Sequence, residues 1–289
     1  MDAIDERELQ RWVGRSETRR DVFGPTPVAA LAATLDHPPR DIAPGTPLPP
    51  LWHWLYFLPL HRASELGPDG HAKLGGFLPP VPLPRRMWAG SRFEFPGELR
   101  VGDAAERVST IESVAAKQGR SGPLVFVTVR HEVFTNGAAT PALREWHDIV
   151  YRAARQPGDV EPPPQPAPAD AEWAREWQPA DVLLFRYSAL TFNGHRIHYD
   201  RRYVTEVEGY PGLIVHGPLI ATLLLDLLRR EQPHAAVRRF SFTAVSPLFD
   251  IHRFTVCGRP DGEPGGRAFS LWARNHQGHL AMRAQAELA

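Results

Sequence analysis

Two short segments in the second half of the chain concentrate side chains that can move protons. The first, residues 192–200 (FNGHRIHYD), holds two imidazoles, an amide and a carboxylate. The second, His216-Gly217-Pro218, lies 16 residues after Asp200 and opens a strongly apolar stretch. Because a titratable group beside a helix N-terminus can polarise a carbonyl, the two segments together indicate an enzyme that handles an acyl group.

The apolar stretch after Gly217 predicts a helix that positions this chemistry. Between residues 218 and 230, leucine and isoleucine recur at helical spacing and cover most of the circumference. Pro218 suits the first turn, where a helix needs no N–H from it, and Arg229 and Arg230 suit the last turn, where the dipole is negative. We therefore expect a buried helix with Gly217 at its N-terminus.

The elements around this helix occur twice along the chain. After it come strand-like runs at 238–244, 253–258, 267–274 and 279–287, with a hairpin turn at 275–278. The first half ends similarly, with runs at 92–95, 124–134 and 142–152, a turn at 135–137, and an apolar segment at 28–35 as the candidate for a matching helix. The repeated pattern predicts an α+β fold with a long helix packed on a curved antiparallel sheet in each half.

Proline divides the chain. The 30 prolines cluster at 38–50, 79–84 and 157–168. The third cluster can form neither a helix nor a central strand. We therefore interpret residues 156–170 as a linker between an N-terminal half, 1–155, and a C-terminal half, 171–289.

The composition excludes several classes of function. Hydrophobic residues make up 43% of the 289 residues, enough for one large core or two ordinary ones. The formal net charge is zero, unlike that of a nucleic-acid-binding domain, and the single cysteine, Cys257, allows no disulfide framework within one chain. No apolar signal segment follows Met1, and no apolar run is long enough to span a membrane. We expect a cytoplasmic protein that binds neither nucleic acid nor membrane.

The two segments resemble the hydratase motif of the MaoC-like hotdog enzymes. That family's pattern is roughly Ser-Gly-Asp-x-Asn-Pro-Ile-His-x-Asp, followed by His-Gly-Met before the central helix. The form FNGHRIHYD, together with residues 78–90 (LPPVPLPRRMWAG), is similar to the subgroup of mesaconyl-CoA and itaconyl-CoA hydratases and mitochondrial 3-hydroxyacyl-thioester dehydratases. The resemblance implies a double hotdog in which the first half, lacking a motif copy, is degenerate and builds the tunnel for the acyl chain.

The resemblance also implies roles for individual residues. His198 matches the catalytic histidine, and Gly217 matches the glycine whose N–H polarises the thioester. Asn193 stands where the family usually has its catalytic aspartate, and His195 stands on the motif asparagine. Since an amide cannot act as a base, proton transfer is expected to fall to His198, while Asn193 orients the attacking water.

Further side chains are candidates for contacts with the substrate. Arg196 is the first choice to hold a second carboxylate, because it lies inside the motif and a guanidinium can bind a carboxylate with two hydrogen bonds. The spacing of His195 and His198 has no supporting Cys or Glu cluster, so no metal is expected, and the implied reaction needs no other cofactor. The substrate-binding candidates are His195, Arg196, His216, Arg85 and Arg86.

The implied reaction is the reversible hydration of an α,β-unsaturated acyl-CoA, with a short branched dicarboxylic acyl group, at one site per chain in a homodimer. Other functions stay open at this point. One is a dehydratase acting on acyl carrier protein or medium-chain CoA substrates. Another is a hotdog thioesterase, although such enzymes usually carry a carboxylate near the helix start and residues 214–219 contain none. The third is a non-catalytic half that binds acyl thioesters; His198 argues against it and Asn193 argues mildly for it.

Overall fold

The computed structural model describes residues 4–119, 122–154, 163–262 and 265–289. Within them the helices are α1 (Glu6–Gln10), α2 (Pro25–Thr34), α3 (Asp181–Leu190) and α4 (Gly217–Glu231). The first five strands are β1 (Ser16–Val22), β2 (Arg85–Glu94), β3 (Ala104–Gly119), β4 (Gly122–Thr135) and β5 (Leu143–Arg152). The last five are β6 (Trp173–Trp177), β7 (Val237–Ala244), β8 (Phe254–Asp261), β9 (Ala268–Asn275) and β10 (Leu280–Leu288).

These strands form one antiparallel sheet whose order repeats about its centre. The order is β1-β3-β4-β5-β2-β7-β10-β9-β8-β6. Each strand of the first half has a counterpart five strands later, so that β1 corresponds to β6 and β5 to β10. With these correspondences, the strand order is the same from either edge of the sheet. The seam is the pairing of β2 with β7, from Gly90↔Thr243 to Glu94↔Arg239. The repeat predicted from the strand pattern is therefore present in the topology.

The linker is described only in part. Residues 155–162 lie outside the described residues, so the limits assigned to the two halves stay a prediction. In the remainder, Pro166 forms a bridge with His279, and Ala167 donates its N–H to the Gly278 carbonyl over 2.9 Å. The end of the Pro-rich stretch is thus held beside the turn that precedes β10.

Helix α4 is the central helix of the C-terminal half, as its apolar pattern predicts. Every residue from Leu219 to Leu228 is buried, and the helix packs against β6, β8, β9 and β10. Its C-terminal part is tied to the first half, because Asp226 is bonded to His37 at a distance of 2.7 Å. Asp226 also accepts from Arg230 of the same helix at 2.7 Å. This burial holds Gly217, the first residue of α4, in a defined place.

The first half lacks the long helix expected there. The segment that begins near Val28 does form a helix, α2, but it is short and packs against α3 rather than along the sheet. In the position that corresponds to α4, before β2, the described chain makes two 3₁₀ turns, Trp52–Leu55 and Ala63–Glu65. Prolines recur throughout residues 38–84, and each removes an N–H and obstructs the preceding turn, so a long helix cannot propagate.

Three strands were not predicted from the sequence. The edge strands β1 and β6 carry alternating exposed and partly exposed residues, many of them charged. Strand β3 is long but rich in small and charged residues, so its apolar alternation is weak. None of the described helices has the length and apolar character needed to cross a membrane.

The seam between the halves gives a test of the fold. Gly90 lies at an irregularity of β2, and a Cβ atom at this position would sit 2.4 Å from the Phe242 carbonyl oxygen of β7. Because paired backbone cannot move aside cheaply, we expect Gly90→Ala to lower the free energy of unfolding by about 1–3 kcal/mol in urea titrations. Gly76→Ala is the control, since nothing lies within 4 Å of a Cβ there. Equal midpoints for the two variants would contradict the seam.

Candidate active site

The motif segment forms a compact turn between α3 and α4. Phe192 adopts a left-handed φ of 50°, which ends α3, and residues Arg196–His198 form a 3₁₀ turn. The Asn193 side-chain oxygen accepts the His195 N–H over 3.0 Å. The Ile197 carbonyl accepts the Ile214 N–H over 3.0 Å, which ties the turn to the chain just before α4. The segment is therefore a turn, in which positions 196 and 198 need not share a face as they would on a strand.

His198 is buried with one ring nitrogen committed and the other free. The side chain is enclosed, with 7% of the residue exposed. Its Nδ1 lies 2.7 Å from the Ile214 carbonyl oxygen. A carbonyl can only accept, so Nδ1 carries the hydrogen and Nε2 keeps its lone pair. Burial lowers the pKa of His198 to about 4, although the bond to Ile214 opposes the shift. The ring is therefore neutral at pH 7 and can accept a proton at Nε2.

Gly217 offers an unpaired donor beside this ring. It is the first residue of α4, and its N–H donates no hydrogen bond within the described part of the chain. A Cβ atom on Gly217 would meet nothing within 4 Å, so open space adjoins it. The first N–H groups of a helix carry partial positive charge. The position can therefore stabilise an oxygen that gains negative charge.

His216 packs against the ring of His198. The two rings stack with centroids 3.7 Å apart and an angle of 19° between their planes. His216 is fully buried, and its Nε2 is bonded to the Ser188 hydroxyl over 2.8 Å. Burial, the main cause, moves the pKa of His216 well below its ordinary value. The structure thus places His216, expected among the substrate-binding residues, against the His198 ring, and it adds Ser188, which was not singled out from the sequence.

A row of imidazoles extends from His198 into the first half. His195 lies edge-on to His198, with centroids 5.5 Å apart, and its other side is stacked by His71 at 3.9 Å. His71 Nδ1 lies 2.8 Å from an oxygen of Asp69. Burial raises the pKa of Asp69, but the bonds and charge of His71 outweigh it and hold that pKa well below its usual range. Asp69 and His71 were not singled out from the sequence, because no motif surrounds them.

The loop that carries Asp69 is docked against the motif. The Asp69 carbonyl accepts the Arg196 N–H over 2.9 Å, and the Pro68 carbonyl accepts Arg196 Nη1 over 2.9 Å. Gly70 has a φ of +88°, and a Cβ on it would lie 1.9 Å from the Gly194 carbonyl oxygen. Only glycine fits this approach. A turn of the N-terminal half is therefore docked against the motif turn of the C-terminal half.

Arg196 is engaged within the protein. Its Nε and Nη2 both donate to one oxygen of Asp200, over 3.0 and 2.8 Å, and its guanidinium lies 4.1 Å from the centre of the Tyr203 ring. With Nη1 committed to Pro68, little donor capacity remains for a ligand. The geometry therefore argues against Arg196 as the first choice for a carboxylate clamp.

The two arginines at the start of β2 have different surroundings. Arg85 donates to the Tyr210 hydroxyl over 2.5 Å. Arg86 is opposite Tyr151 in the sheet register. Burial raises the pKa of the Tyr151 hydroxyl, and the charge of Arg86 and a hydrogen bond from it oppose that shift. The pKa values of His71 and His195 are lowered mainly by burial, and the charge of Arg86 adds to both shifts. Within the described chain no carboxylate pairs with Arg86.

The inner face of the first half is polar. Arg107, His131 and His147 are only partly covered from solvent, yet burial is the main cause that lowers the pKa of each, to about 10, 3 and 4 respectively. These three groups are therefore strongly desolvated although each keeps part of its surface exposed. Glu145, which accepts from His53 and Trp54, adds a buried carboxylate there. The face corresponds to the one that α4 covers in the C-terminal half.

One group of described side chains has ligand atoms close enough for a metal to be considered. These atoms, from Asp69, His71 and His195, lie within 4.8 Å of one another. Zinc binds imidazole nitrogen in the ring plane at about 2.0–2.1 Å. The stacked planes of His71 and His195, tilted by 37°, do not converge at that distance, and His71 Nδ1 is already bonded to Asp69. The arrangement fits hydrogen-bonded, stacked imidazoles better than a metal site.

A sheet of two matching halves, with one central helix that begins at a His-Gly pair, defines a MaoC-like double hotdog protein. Solved structures share this fold. HtdX of Mycobacterium tuberculosis has a TM-score of 0.66 at 18% identity, over 95% of this chain and 100% of that one. A second Mycobacterium tuberculosis protein, described as having a double hotdog fold, has a TM-score of 0.58 at 14% identity, over 96% of each chain. The expected fold is therefore confirmed.

Sequence comparison identifies the family within this fold. The model of hydroxyacyl-thioester dehydratase type 2 matches residues 51–250. The mesaconyl-C(4)-CoA hydratase of Chloroflexus aurantiacus is 45% identical over 280 residues, which is 96% of this chain and 96% of the relative. The chain belongs to the hydroxyacyl-thioester dehydratase type 2 family. It is a hydro-lyase, and the resemblance read from the motif is confirmed.

The buried neutral histidines predict a pH-dependent stability. The pKa values of His131, His147, His195 and His198 are lowered, chiefly by burial, to about 3, 4, 2 and 4. Below about pH 6.5 the unfolded chain binds protons at these positions and the folded chain does not, so stability falls as pH falls. We expect the free energy of unfolding to drop between pH 7.5 and 5.5, each histidine contributing up to about 1.4 kcal/mol per pH unit below 6.5.

Urea titrations at several pH values between these limits test this expectation. Carboxylates with lowered pKa act in the same direction, but only as the pH approaches about 4, so the window isolates the histidines. His61→Gln, at an exposed position, should leave the pH slope unchanged, whereas His131→Gln should reduce it. A constant free energy of unfolding across the window would contradict the buried neutral rings.

Proposed function

We propose that the protein catalyses the reversible addition of water to the double bond of an α,β-unsaturated acyl-CoA with a short branched dicarboxylic acyl group. One observation carries the proposal: buried His198, with Nε2 free, stacks on His216, and the next residue, Gly217, starts α4 with an unpaired N–H. Hydration requires a base for water and a donor for the thioester oxygen. The site supplies both on adjacent elements.

In the proposed reaction His198 Nε2 takes a proton from water while the water oxygen bonds to the β-carbon. The electrons of the double bond move to the thioester oxygen, and the Gly217 N–H and the dipole of α4 stabilise the enolate. His198 then returns the proton to the α-carbon, so the two hydrogens of water end on the new hydroxyl and the α-carbon. Loss of one such donor typically costs about 3 kcal/mol of transition-state stabilisation. Asn193 is proposed to orient the water through its amide.

The proposed substrate class follows from the charge in the first half. A simple aliphatic chain would leave the charge of Arg86 without a carboxylate to pair with. A second carboxylate on the acyl group would supply that counter-charge. The relative at 45% identity is named for mesaconyl-C(4)-CoA, whose acyl group carries such a carboxylate. Arg86 therefore replaces Arg196 as the proposed clamp.

The alternatives fit the site less well. A medium-chain acyl group, on CoA or on acyl carrier protein, would place its tail against the arginines and histidines of the polar inner face. A thioesterase would need a carboxylate near the start of α4, and residues 214–219 contain none. A purely binding role would not require the tautomer that leaves His198 Nε2 free.

We also propose one active site per chain, in the groove between an N-terminal half, 1–155, and a C-terminal half, 171–289. The first half would be degenerate in its motif and would bind the acyl group. The homodimer and the cytoplasmic location stay proposals. Sedimentation velocity tests the first, and cell fractionation tests the second. Two equivalent acyl chains bound per subunit would contradict the single site.

The role of His198 is tested by His198→Ala. Without a base at this position, kcat for an enoyl-CoA should fall by about 10²–10⁴-fold, followed as loss of absorbance of the conjugated thioester. His198→Gln is a second variant, which keeps a polar group in the buried space. Near-wild-type circular dichroism with a kcat close to that of the wild type in either variant would contradict the proposal.

The clamp is tested by comparing Arg86→Met and Arg196→Met on mesaconyl-C(4)-CoA and crotonyl-CoA. Arg86→Met should reduce kcat/KM about tenfold to hundredfold on the dicarboxylic substrate, because a charged hydrogen-bond pair is lost, and much less on crotonyl-CoA. Arg196→Met should reduce both equally, since Arg196 holds the motif turn. If Arg86→Met lowered kcat/KM equally on both substrates, the proposed clamp would be contradicted. If Arg196→Met lowered kcat/KM only on the dicarboxylic substrate, Arg196 would again be the candidate for the carboxylate clamp.

A further inference from the structure

The motif of this chain lacks the carboxylate that its family usually has. An amide cannot take up a proton as a carboxylate can, and one of the two lone pairs of the Asn193 side-chain oxygen is already committed to the His195 N–H. An attacking water has two hydrogens, and His198 Nε2 can hold only one of them. A second acceptor is needed to fix the water with its lone pair towards the β-carbon.

A carboxylate reaches this region from the other half of the chain. Asp69 lies on the turn that is closed by the Leu66↔Ala72 bridge, and one of its oxygens is 2.8 Å from His71 Nδ1. Because a carboxylate of lowered pKa is ionised and can only accept, His71 carries its hydrogen on Nδ1. Its Nε2 therefore keeps a lone pair, which is the same tautomer as that of His198.

His71 lies beside the motif of the second half. The centre of its ring is 3.9 Å from that of His195, and the His195 ring lies edge-on to His198 at 5.5 Å. The side chain of His71 keeps 24% of its surface open and that of Asp69 keeps 30%. Burial is the largest cause that lowers the pKa of His71, and the charge of His71 contributes to the lowered pKa of His198.

The position of His71 is held rigidly. Its ring is stacked on His195, and the turn is fastened by the Arg196 N–H to the Asp69 carbonyl and by the close approach of Gly70 to Gly194. A catalytic group needs such support, because small displacements from the productive geometry cost rate. The first half thus presents an oriented acceptor to the motif of the second half.

We propose that His71, oriented by Asp69, is a second catalytic residue of this active site and supplies a second acceptor for the attacking water. The inference rests on the proposed hydration. The attacking water donates one hydrogen bond to His198 Nε2 and the other to His71 Nε2. As oxygen bonds to the β-carbon, the first proton passes to His198 and then to the α-carbon. The second stays on the new hydroxyl, which remains bonded to His71. Asp69 is a positioning residue that fixes the tautomer of His71.

The test uses His71→Phe in the full-length protein, because phenylalanine keeps the stack on His195 and removes the acceptor. With mesaconyl-C(4)-CoA we expect kcat to fall about tenfold to hundredfold while KM changes little, since the lost bond acts in the transition state. His71→Gln, which retains an acceptor oxygen, should lose less. His61→Phe, at an exposed site on the same segment, is the matched control and should be unaffected.

Asn193→Asp separates this role from a structural one. It returns a carboxylate acceptor to the motif, so it should raise kcat of His71→Phe by about tenfold or more while changing the wild-type kcat far less. The same factor in both backgrounds would overturn the inference, as would a His71→Phe enzyme with kcat within about threefold of wild type. A folding defect would instead appear in the thermal midpoint, and rescue of kcat by Asn193→Asp in the folded fraction would still support the inference.

Two further results would be decisive. If dialysis against EDTA abolished wild-type activity and zinc restored it, Asp69, His71 and His195 would be metal ligands and the inference would be overturned. If the wild type hydrated no enoyl-CoA at all, the proposed function would fail and the inference with it. A wild type that is active but insensitive to His71→Phe would overturn this inference alone.

Discussion

The hydrogen bond from His198 Nδ1 to the Ile214 carbonyl is the interaction on which the rest of the site depends. It fixes the tautomer, so that a ring kept neutral by burial offers Nε2 to the cleft. It also joins the motif turn to the residues just before α4. Because α4 is buried along its whole apolar length, the Gly217 N–H is held beside that ring without a flexible side chain. Base and oxyanion donor are thus positioned by backbone.

The two halves share one topology but use their concave faces differently. In the C-terminal half α4 covers the face with leucine, which fixes the site. In the first half prolines prevent the equivalent helix, and the inner face carries arginine, histidine and the buried Glu145. We propose that the duplication provides one face for stability and one for recognition. Because these histidines stay neutral in the interior, the free energy of unfolding decreases at acidic pH.

The parts of the fold that were predicted correctly have local signals. The apolar period of α4, the alternating valines of β4 and the turn before β10 each depend on residues close in sequence. The edge strands β1 and β6 were missed because their polar alternation resembles that of a loop, and they become strands only by pairing with β3 and β8. The segment near Val28 was expected to be a long central helix, but its length and partner are decided by the prolines that follow and by α3.

The sequence alone determined the family. It also indicated that His198 and Gly217 belong to one site, because the motif turn and the start of α4 are close together in the chain. Only the tertiary structure decided which polar groups complete the site. In the folded protein Arg196 is bonded to Asp200, and Arg86 has no carboxylate partner among the described residues. Asp69 and His71, from the other half, lie against the motif. These contacts depend on the β2–β7 seam and on the docking of one turn against another, and residue spacing carries no information about such long-range packing.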